Sequence, residues 1–540
     1  MIQRRTLGDL LIQSSENFPS RKALVMPNTE LSYRQLLLES MAVARGIIGM
    51  GVAPRQHVGI LATNGIPLVT GIFGAILANC VAVPLSARHK AHELGYIIDN
   101  ADIELILTSA ADTAVIDFRK ILCNALPDLG KADENCSPRF SNAERLQQIV
   151  LLDGEPLSGY VARDIFDIAG ETTNPDRVYE RLNSATSQDT ALILYTSGTT
   201  AEPKGCLLSH HAITSGPVDR AKNRLRYKDH DVTWGGGPLY HIGSLAPFIG
   251  SIGAGGTYLT DVVFEPGRAL ELMEREGVTV AWPWFPAILQ PLIDHPDFSP
   301  SRLANLAKIL MIGPEALIHR LQATLPAVEC IQACGMTETA GIFALSGPNE
   351  TLSERATSHG KAYPGVELRI INPDSGDDLQ PNKVGEILVR GACLMDGYYR
   401  SPDKTRKTLD KDGWLHTGDL YSITQDGRLT FNGRIKDMLK VGGENVAAIE
   451  VESYLCSHPS VRTAEVVGIP DERLDEVPVA FVELYHDRPS TETELVAFCK
   501  GRIASYKIPR KIVFMTQAEW PMSETKVDKR RLRERLASGA

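Results

Sequence analysis

Several familiar signatures are missing from this sequence, and each absence removes a class of function. There is no G-x-x-x-x-G-K-[ST] stretch, so a Walker-type phosphate loop is excluded. No C-x-x-C pair occurs among the nine cysteines; Cys330 and Cys334 are separated by three residues and no His/Cys cluster follows. A cysteine metal centre is therefore not expected, and reduced, buried thiols of a cytoplasmic protein are. The net charge of −10, from 56 Lys+Arg against 66 Asp+Glu, is spread along the chain rather than gathered in one block, which argues against a nucleic-acid partner. The most apolar region, His57 to Ala87, is broken by Asn64, Pro67, Asn79 and Pro84. It reads as strand, helix, strand rather than as a membrane span, so no stable membrane insertion is expected. Asp9 interrupts the short apolar stretch after Arg4 and Arg5, which does not read as a signal peptide, and the final Ser-Gly-Ala is no recognisable sorting tripeptide. Internal repeats and low-complexity tracts are also lacking.

What is present is the composition of an ordinary globular protein, 540 residues long. One core does not grow to that size, so a large unit of subdomains plus at least one further domain is expected. The first two-thirds alternate short apolar strands with helices. Ser32-Tyr33-Arg34-Gln35 is a capping-box pattern, and the helix after it is expected to run to about Met50, with Gly51 as its stop. Strands are predicted over 58–62, 81–85, 105–108, 149–152, 278–282 and 309–312, and helices over 66–78 and 317–323. Polar stretches at 130–142 and 170–187 read as exposed loops. This rhythm predicts layered α/β structure with ligands at the carboxyl ends of the strands. From Gly365 to about Leu420, strands at 366–371 and 385–390 with Gly/Pro/Asp turns predict a β-rich subdomain. After Gly433 a small mixed unit of about 100 residues is expected, with helices over 449–456 and 492–504, strands over 464–469, 479–484 and 512–515, and a basic terminal helix.

The most informative segment is Leu194-Tyr195-Thr196-Ser197-Gly198-Thr199-Thr200-Ala201-Glu202-Pro203-Lys204-Gly205, preceded by the apolar run Ala191–Leu194. Five successive residues, Thr196 to Thr200, carry hydroxyls or no side chain, and a lysine follows. Such a loop can wrap polyphosphate with backbone N–H groups and hydroxyls while Lys204 adds a point charge. The short core alone would also suit an ordinary turn.

Four further segments carry chemistry. In Ala333-Cys334-Gly335-Met336-Thr337-Glu338, Glu338 is a hard oxygen ligand suited to Mg2+ and Thr337 can donate to phosphate. Trp414-Leu415-His416-Thr417-Gly418-Asp419 ends in a carboxylate able to accept a pair of ribose hydroxyls. Gly433-Arg434-Ile435-Lys436-Asp437 opens the small unit. Pro521-Met522-Ser523-Glu524-Thr525-Lys526 places a lysine in a turn near the chain end. Each segment alone is what any turn or helix start could contain.

Together and in this order they resemble the adenylate-forming superfamily of acyl-CoA synthetases, firefly luciferases and peptide-synthetase adenylation domains, over nearly the whole chain. The resemblance implies an α/β fold: a large N-terminal adenylation domain (1–433, with its β-rich subdomain at about 365–433) and a small, mobile α+β lid (434–540) hinged near Lys436. It implies that Thr196, Ser197, Gly198, Thr199, Thr200 and Lys204 cradle the β- and γ-phosphates of ATP. Glu338 would hold Mg2+, Thr337 the α-phosphate, and Asp419 with Arg434 the ribose. Gly313, Pro314 and Glu315, with Cys334, Gly335 and Met336, would form the adenine slot. Lys526 would bridge the acyl carboxylate and the α-phosphate, and His241 would line the acyl channel. After adenylation the lid would swing about Lys436 and bring in the loop Lys440-Val441-Gly442-Gly443-Glu444-Asn445, whose glycines Gly442 and Gly443 suit close approach of a pantetheine arm.

Three departures from the pattern stand out. Cys334 replaces the aromatic residue that usually stacks on adenine, Pro314 a Gly or Ala, and Thr525 the Gly before the lysine. The implied activity is ATP-dependent acyl-CoA ligation, with coenzyme A as acceptor. Two other readings exist: a free-standing adenylation enzyme that loads a carrier protein, and a non-catalytic nucleotide-binding member. His241 stands where amino-acid-activating domains have an Asp for the α-ammonium, and the chain ends 14 residues after Lys526 without a carrier segment. Lys204, Glu338, Asp419, Arg434 and Lys526 all being present argues against a non-catalytic member. Trp282, Trp284, Phe285, Ile288, Met311 and Ile312 would make an apolar acyl pocket for a hydrophobic small-molecule carboxylic acid. A homodimer is the default expectation for such an enzyme.

Overall fold

Local capping chemistry starts one helix where the sequence predicts. Ser32 and Gln35 form a reciprocal capping box at the start of helix Tyr33–Gly49, and Gly51, at φ +86°, terminates it. The computed structural model describes residues 6–109, 116–131, 139–155, 157–196, 202–228, 230–442, 444–471, 473–523 and 526–537. Of the phosphate-loop residues, Ser197 to Thr200 lie outside these, as do Gly443 and much of the expected loop at 130–142.

Two seven-stranded sheets form the body. One runs Gly397–Tyr398, Lys204–Ser209, Thr190–Thr196, Val81–Pro84, His57–Leu61, Ile103–Thr108, Gln148–Leu151. The other runs Glu329–Ile331, Lys308–Met311, Val280–Trp284, Val232–Gly235, Thr257–Leu259, Lys22–Met26, Thr29–Ser32. Both are mostly parallel, with antiparallel pairs at their edges. Their central strands are buried on both faces, so they read as apolar runs rather than as alternating patterns. Helix Ile66–Leu77 is buried over most of its circumference, and its Phe73 ring lies 6.1 Å from that of Phe248 on helix Ile242–Ala254. That contact joins the layers of the two sheets.

The β-rich region is an antiparallel sheet of Val366–Ile371, Gly385–Gly391, Leu415–Ile423 and Leu429–Arg434. The C-terminal segment has cores of its own, one built on Leu439, Val451, Leu455, Val466, Ala480 and Leu495 and a second on Val479, Phe481 and Leu532. It touches the body through Gln290, whose Nε2 donates to the Arg462 carbonyl at 3.1 Å, and through Arg320, which donates to the Tyr485 hydroxyl at 3.3 Å.

Two expectations fail. The stretch 170–187 is not a loop: it carries helix Asp176–Ser184, held by buried Val178 and Leu182, four residues apart on one face. Its polar composition hid an amphipathic period with only two apolar residues in it. The predicted helix over 492–504 stops at Cys499, where Lys500 turns extended, and a single 3-10 turn follows at Ser505–Lys507.

Candidate nucleotide and acyl cleft

The glycine- and threonine-rich segment lies between two paired antiparallel strands. Thr196 and Lys204 are directly opposed in the register of strands Thr190–Thr196 and Lys204–Ser209. The hairpin therefore presents Lys204 beside the loop mouth. The adjoining edge strand Gly397–Tyr398 pairs with the same hairpin, Tyr398 opposite Cys206. Lys204 Nζ consequently lies 5.0 Å from the centre of the Tyr398 ring, in cation–π range.

Tyr398 also reaches the second motif. Strand Ala333–Met336 ends in a single 3-10 turn, Thr337–Thr339, and doubles back as strand Gly341–Leu345. The reversal is so close that a Cβ on Gly335 would stand 2.2 Å from the Gly341 carbonyl oxygen, so only glycine fits there. The turn is locked by Thr339, whose hydroxyl donates to the Gly341 carbonyl at 2.6 Å. Glu338 is 8 % exposed, and its Oε1 accepts from the Tyr398 hydroxyl at 2.8 Å. Burial and the adjacent Glu338 carboxylate push the Tyr398 phenol well up, so it stays a donor. Lys204, Tyr398 and Glu338 thus form one cluster drawn from three distant segments.

Asp419 and Arg434 are opposed in strands Leu415–Ile423 and Leu429–Arg434, and Arg434 Nε lies 2.9 Å from Asp419 Oδ1. Gly313 and Pro314 lie between strand Lys308–Met311 and helix Glu315–Thr324, at a strand's carboxyl end, and Gly313 N–H donates to Gln332 Oε1 at 3.2 Å. His241 caps helix Ile242–Ala254: its Nδ1 accepts from the Gly243 N–H at 3.1 Å, which leaves the ring proton on Nε2 when the ring is neutral.

A continuous cleft of about 2920 Å3 brings these together, lined by Thr196, Lys204, His241, Gly313, Pro314, Glu315, Cys334, Gly335, Met336, Thr337, Glu338, Asp419, Arg434 and Lys436. Lys440 and Gly442 do not line it; they lie on a hairpin of Met438–Val441 and Glu444–Ala447, where Gly442 has φ +60° and Lys440 N–H donates to Glu476. Lys526 opens the second strand of a two-stranded hairpin, opposite Ser523, and the next residues, Val527 to Lys529, line the cleft. Trp282, Trp284, Phe285, Ile288 and Ile312 line it as expected. Met311 does not: it is wholly buried in the core of the second sheet, because the strand places successive side chains on opposite faces.

Two clusters escaped the sequence reading. The first backs Cys334. Its thiol, pushed up by burial, bonds the Tyr421 hydroxyl, which in turn meets His359 Nδ1 at 3.0 Å. His359 stacks on Phe431 with centroids 5.9 Å apart, and burial lowers its pKa to about 4, so it is neutral. The second anchors the terminal helix Lys529–Ala537. The Lys529 ammonium, 18 % exposed, is held by Glu452 and lies 3.4 Å from Glu465. These contacts span 62 to 87 residues of sequence, and no local pattern announces them.

Among the described residues no group of three or more His, Cys, Asp or Glu side chains could hold a metal alone. Glu338 is a single buried carboxylate, which suits a cation that arrives with phosphates and keeps most of its waters. Among the described residues no helix is long and apolar enough to cross a membrane.

Comparison with known proteins agrees with this geometry. The AMP-binding enzyme family matches residues 11–399, and the AMP-binding enzyme C-terminal domain matches residues 450–526. The chain is 30% identical to the putative acyl-CoA synthetase YngI of Bacillus subtilis, covering 98% of this chain and 97% of that one. It is 30% identical to the mitochondrial medium-chain acyl-CoA ligase ACSF2 of Rattus norvegicus, covering 98% and 88%. The crystal structure of the anthranilate CoA ligase AuaEII with anthranoyl-AMP superimposes with a TM-score of 0.85 at 25% identity, over 100% of this chain and 99% of that one. A cleft that gathers Lys204, Thr337, Glu338, Asp419 and Arg434 from separate segments lies within a chain matched by both family models, and the chain belongs to the AMP-binding enzyme family.

Proposed function

We propose that this protein is an acyl-CoA ligase that uses ATP and Mg2+ to activate a largely apolar carboxylic acid as acyl-AMP and then transfers the acyl group to the thiol of coenzyme A. The observation that carries the reading is the convergence of Lys204, Thr337, Glu338, Asp419 and Arg434 on one cleft, with the hairpin of Lys526 at its edge. In the first step a carboxylate oxygen bonds to the α-phosphorus as the bond to pyrophosphate breaks. Negative charge builds on the phosphoryl oxygens and the leaving group, so fixed cations and donors lower the barrier. Thr196 and Lys204 face the β- and γ-phosphates, Thr337 the α-phosphate, and Asp419 accepts the ribose hydroxyls once Arg434 has oriented it. Glu338 would hold Mg2+, which supplies charge neutralisation between phosphates. Gly313 to Glu315 and Cys334 to Met336 form the adenine slot, where Tyr421 and Phe431 add the aromatic surface that residue 334 lacks. We place the division between the body and the C-terminal lid at 433/434, with Lys436 as hinge. Eight free cysteines among the described residues favour a reducing compartment such as the cytoplasm.

Acid-dependent exchange of labelled pyrophosphate into ATP, and AMP release with CoA across a panel of acids, test the reading. Exchange without CoA, followed by thioester formation with it, is expected. ATP binding with no exchange for any acid would overturn it.

Tyr398→Phe removes the hydroxyl that steadies Glu338 and keeps the ring under Lys204. It should raise the Mg2+ concentration needed for half-maximal adenylation by roughly 10- to 100-fold, as expected for one hydrogen bond to a charged group. The KM for the acid should stay unchanged, and Mn2+ binding followed by electron paramagnetic resonance should weaken in parallel. Lys529→Met strips the cation from two buried carboxylates and should cost the C-terminal unit about 3–5 kcal/mol. Chemical denaturation read by Trp520 fluorescence checks this, since Trp520 packs in the same core as Leu532 of that helix.

A further inference from the structure

The reaction above uses no cation deep in the acyl part of the cleft, yet one is built there. Arg220 lies on a five-residue π-helical turn, Arg220–Arg224, that continues helix His210–Asp219. Such turns are rare and concentrate at functional sites. The residue is 4 % exposed and lines the cleft. The elements around it are helix His210–Asp219 with its π turn, helix Ile242–Ala254, strand Val280–Trp284 and strand Gly341–Leu345. Among the described residues that these elements contribute to the cleft wall, Arg220 is the one with a formal charge; the others include Ala246, Pro247, Trp282, Trp284 and Ile342.

Its partners are few. Nη1 donates to the Ile342 carbonyl at 2.8 Å, and the Tyr363 ring lies 5.8 Å from Cζ. No carboxylate lies within ion-pair distance among the described residues. The nearest acid in sequence, Asp219, favours the cation through space, as do Cys393 and Tyr363, but its oxygens accept from Asn223 and the Tyr363 hydroxyl rather than from the guanidinium. Gly216 and Gly341 flank the guanidinium. A Cβ on Gly216 would stand 2.9 Å from Nη1, and one on Gly341, at φ +104°, 3.5 Å from Nη2. Backbone therefore fixes the fork on two sides. Burial lowers the Arg220 pKa to about 10, which still leaves it cationic at neutral pH. A guanidinium has five N–H donors arranged for bidentate pairing with a carboxylate, and a buried cation with no directly bonded carboxylate is costly. The missing anion can come with the substrate.

We propose that Arg220 receives a second carboxylate at the far end of the acid, so that the preferred substrate is an α,ω-dicarboxylic acid with an apolar middle. The inference deepens the acyl-CoA ligase reading and rests on it. One carboxylate of the diacid would be activated at the α-phosphate while the other pairs with the guanidinium. The apolar wall between them would bury the methylenes.

The test compares saturated monoacids with the α,ω-diacids of the same chain length, for the wild type and for Arg220→Gln and Arg220→Lys. Two readouts are taken: kcat/KM for pyrophosphate release, and direct calorimetric binding of the acids. The wild type should favour the best diacid over its matched monoacid by roughly 10- to 100-fold, the scale of a charge-assisted pair whose loss strands a buried polar group. Arg220→Gln, which can still bond the Ile342 carbonyl, should erase that preference, and Arg220→Lys should restore part of it. A merely structural arginine would lower both acids equally and leave the ratio unmoved, which overturns the proposal. So does a wild type that prefers the monoacid at every length. If Arg220→Gln fails to fold, the wild-type ratio decides alone. Pyrophosphate release with no acid at all would refute the ligase reading, whereas the calorimetric preference would still decide the role of Arg220.

Discussion

Lys526→Ala is expected to slow acid-dependent pyrophosphate release by roughly 10²–10³-fold, the loss that follows when one preorganised donor is removed from a site of developing charge. Thioester formation from pre-made acyl-adenylate should stay within a few-fold of wild type, since the proposed lid swing would take the lysine out of the cleft for that step. Lys526 pairs with Ser523 in a two-residue-per-strand hairpin, and Val527, Asp528 and Lys529 behind it line the cleft. Helix Lys529–Ala537 fixes that hairpin through the clamp of Lys529 on Glu452 and Glu465. The lysine is thus carried on a short arm with a rigid root. Single-turnover measurement of both half-reactions checks the split; an equal loss in each would show that the lysine serves the fold rather than the first transition state.

The second large effect concerns the other half-reaction. Lys436→Pro is expected to slow thioester formation on the order of 10²-fold and adenylation only a few-fold, since the substitution fixes φ at the proposed hinge and would misplace the elements proposed to enter. Lys436 occupies the turn Ile435–Asp437 that follows the last strand of the β-rich sheet, and the strand Met438–Val441 of the C-terminal unit begins directly after it. Burial and the neighbouring Arg434 lower its pKa, so the side chain gains little by staying where it is. Lys436→Ala separates side chain from backbone: it should leave both steps nearly intact. Stopped-flow measurement of CoA acylation from isolated acyl-adenylate reads the effect. If the alanine variant is as slow as the proline one, the side chain and not the backbone rotation is what matters.

Much of this was legible in the sequence, for identifiable reasons. Strands such as Ile103–Thr108 and helix Ile66–Leu77 are buried nearly all round and therefore announce themselves as apolar runs between Gly, Pro and Asn. The capping box at Ser32 and the glycine at 51 fixed both ends of one helix to within about one or two residues, the spread of any boundary definition. Thr337 with Glu338, and Asp419 with Arg434, were legible as chemistry because each pair is local in the chain or belongs to a recurrent pattern. What was not legible is what depends on pairing between distant segments. Nothing near Tyr398 indicates that it will bond Glu338, 60 residues away. Nothing near Arg220 indicates that it will donate to a carbonyl at Ile342, 122 residues away, and face an otherwise apolar wall. The helix Asp176–Ser184 was missed for a different reason: only two of its residues are buried, and two apolar side chains do not make a visible period.

The measurement closest to the central claim is a crystal structure of the full chain with a non-hydrolysable acyl-adenylate. The account predicts the ribose hydroxyls on Asp419, the phosphate analogue against Thr337 and the Thr196 loop, and the Lys526 ammonium within hydrogen-bond distance of the acyl carbonyl. An adenosine seated away from Asp419 and Thr337, or a lid whose lysine stays out of reach of the ligand in every adenylate-bound form, would contradict it.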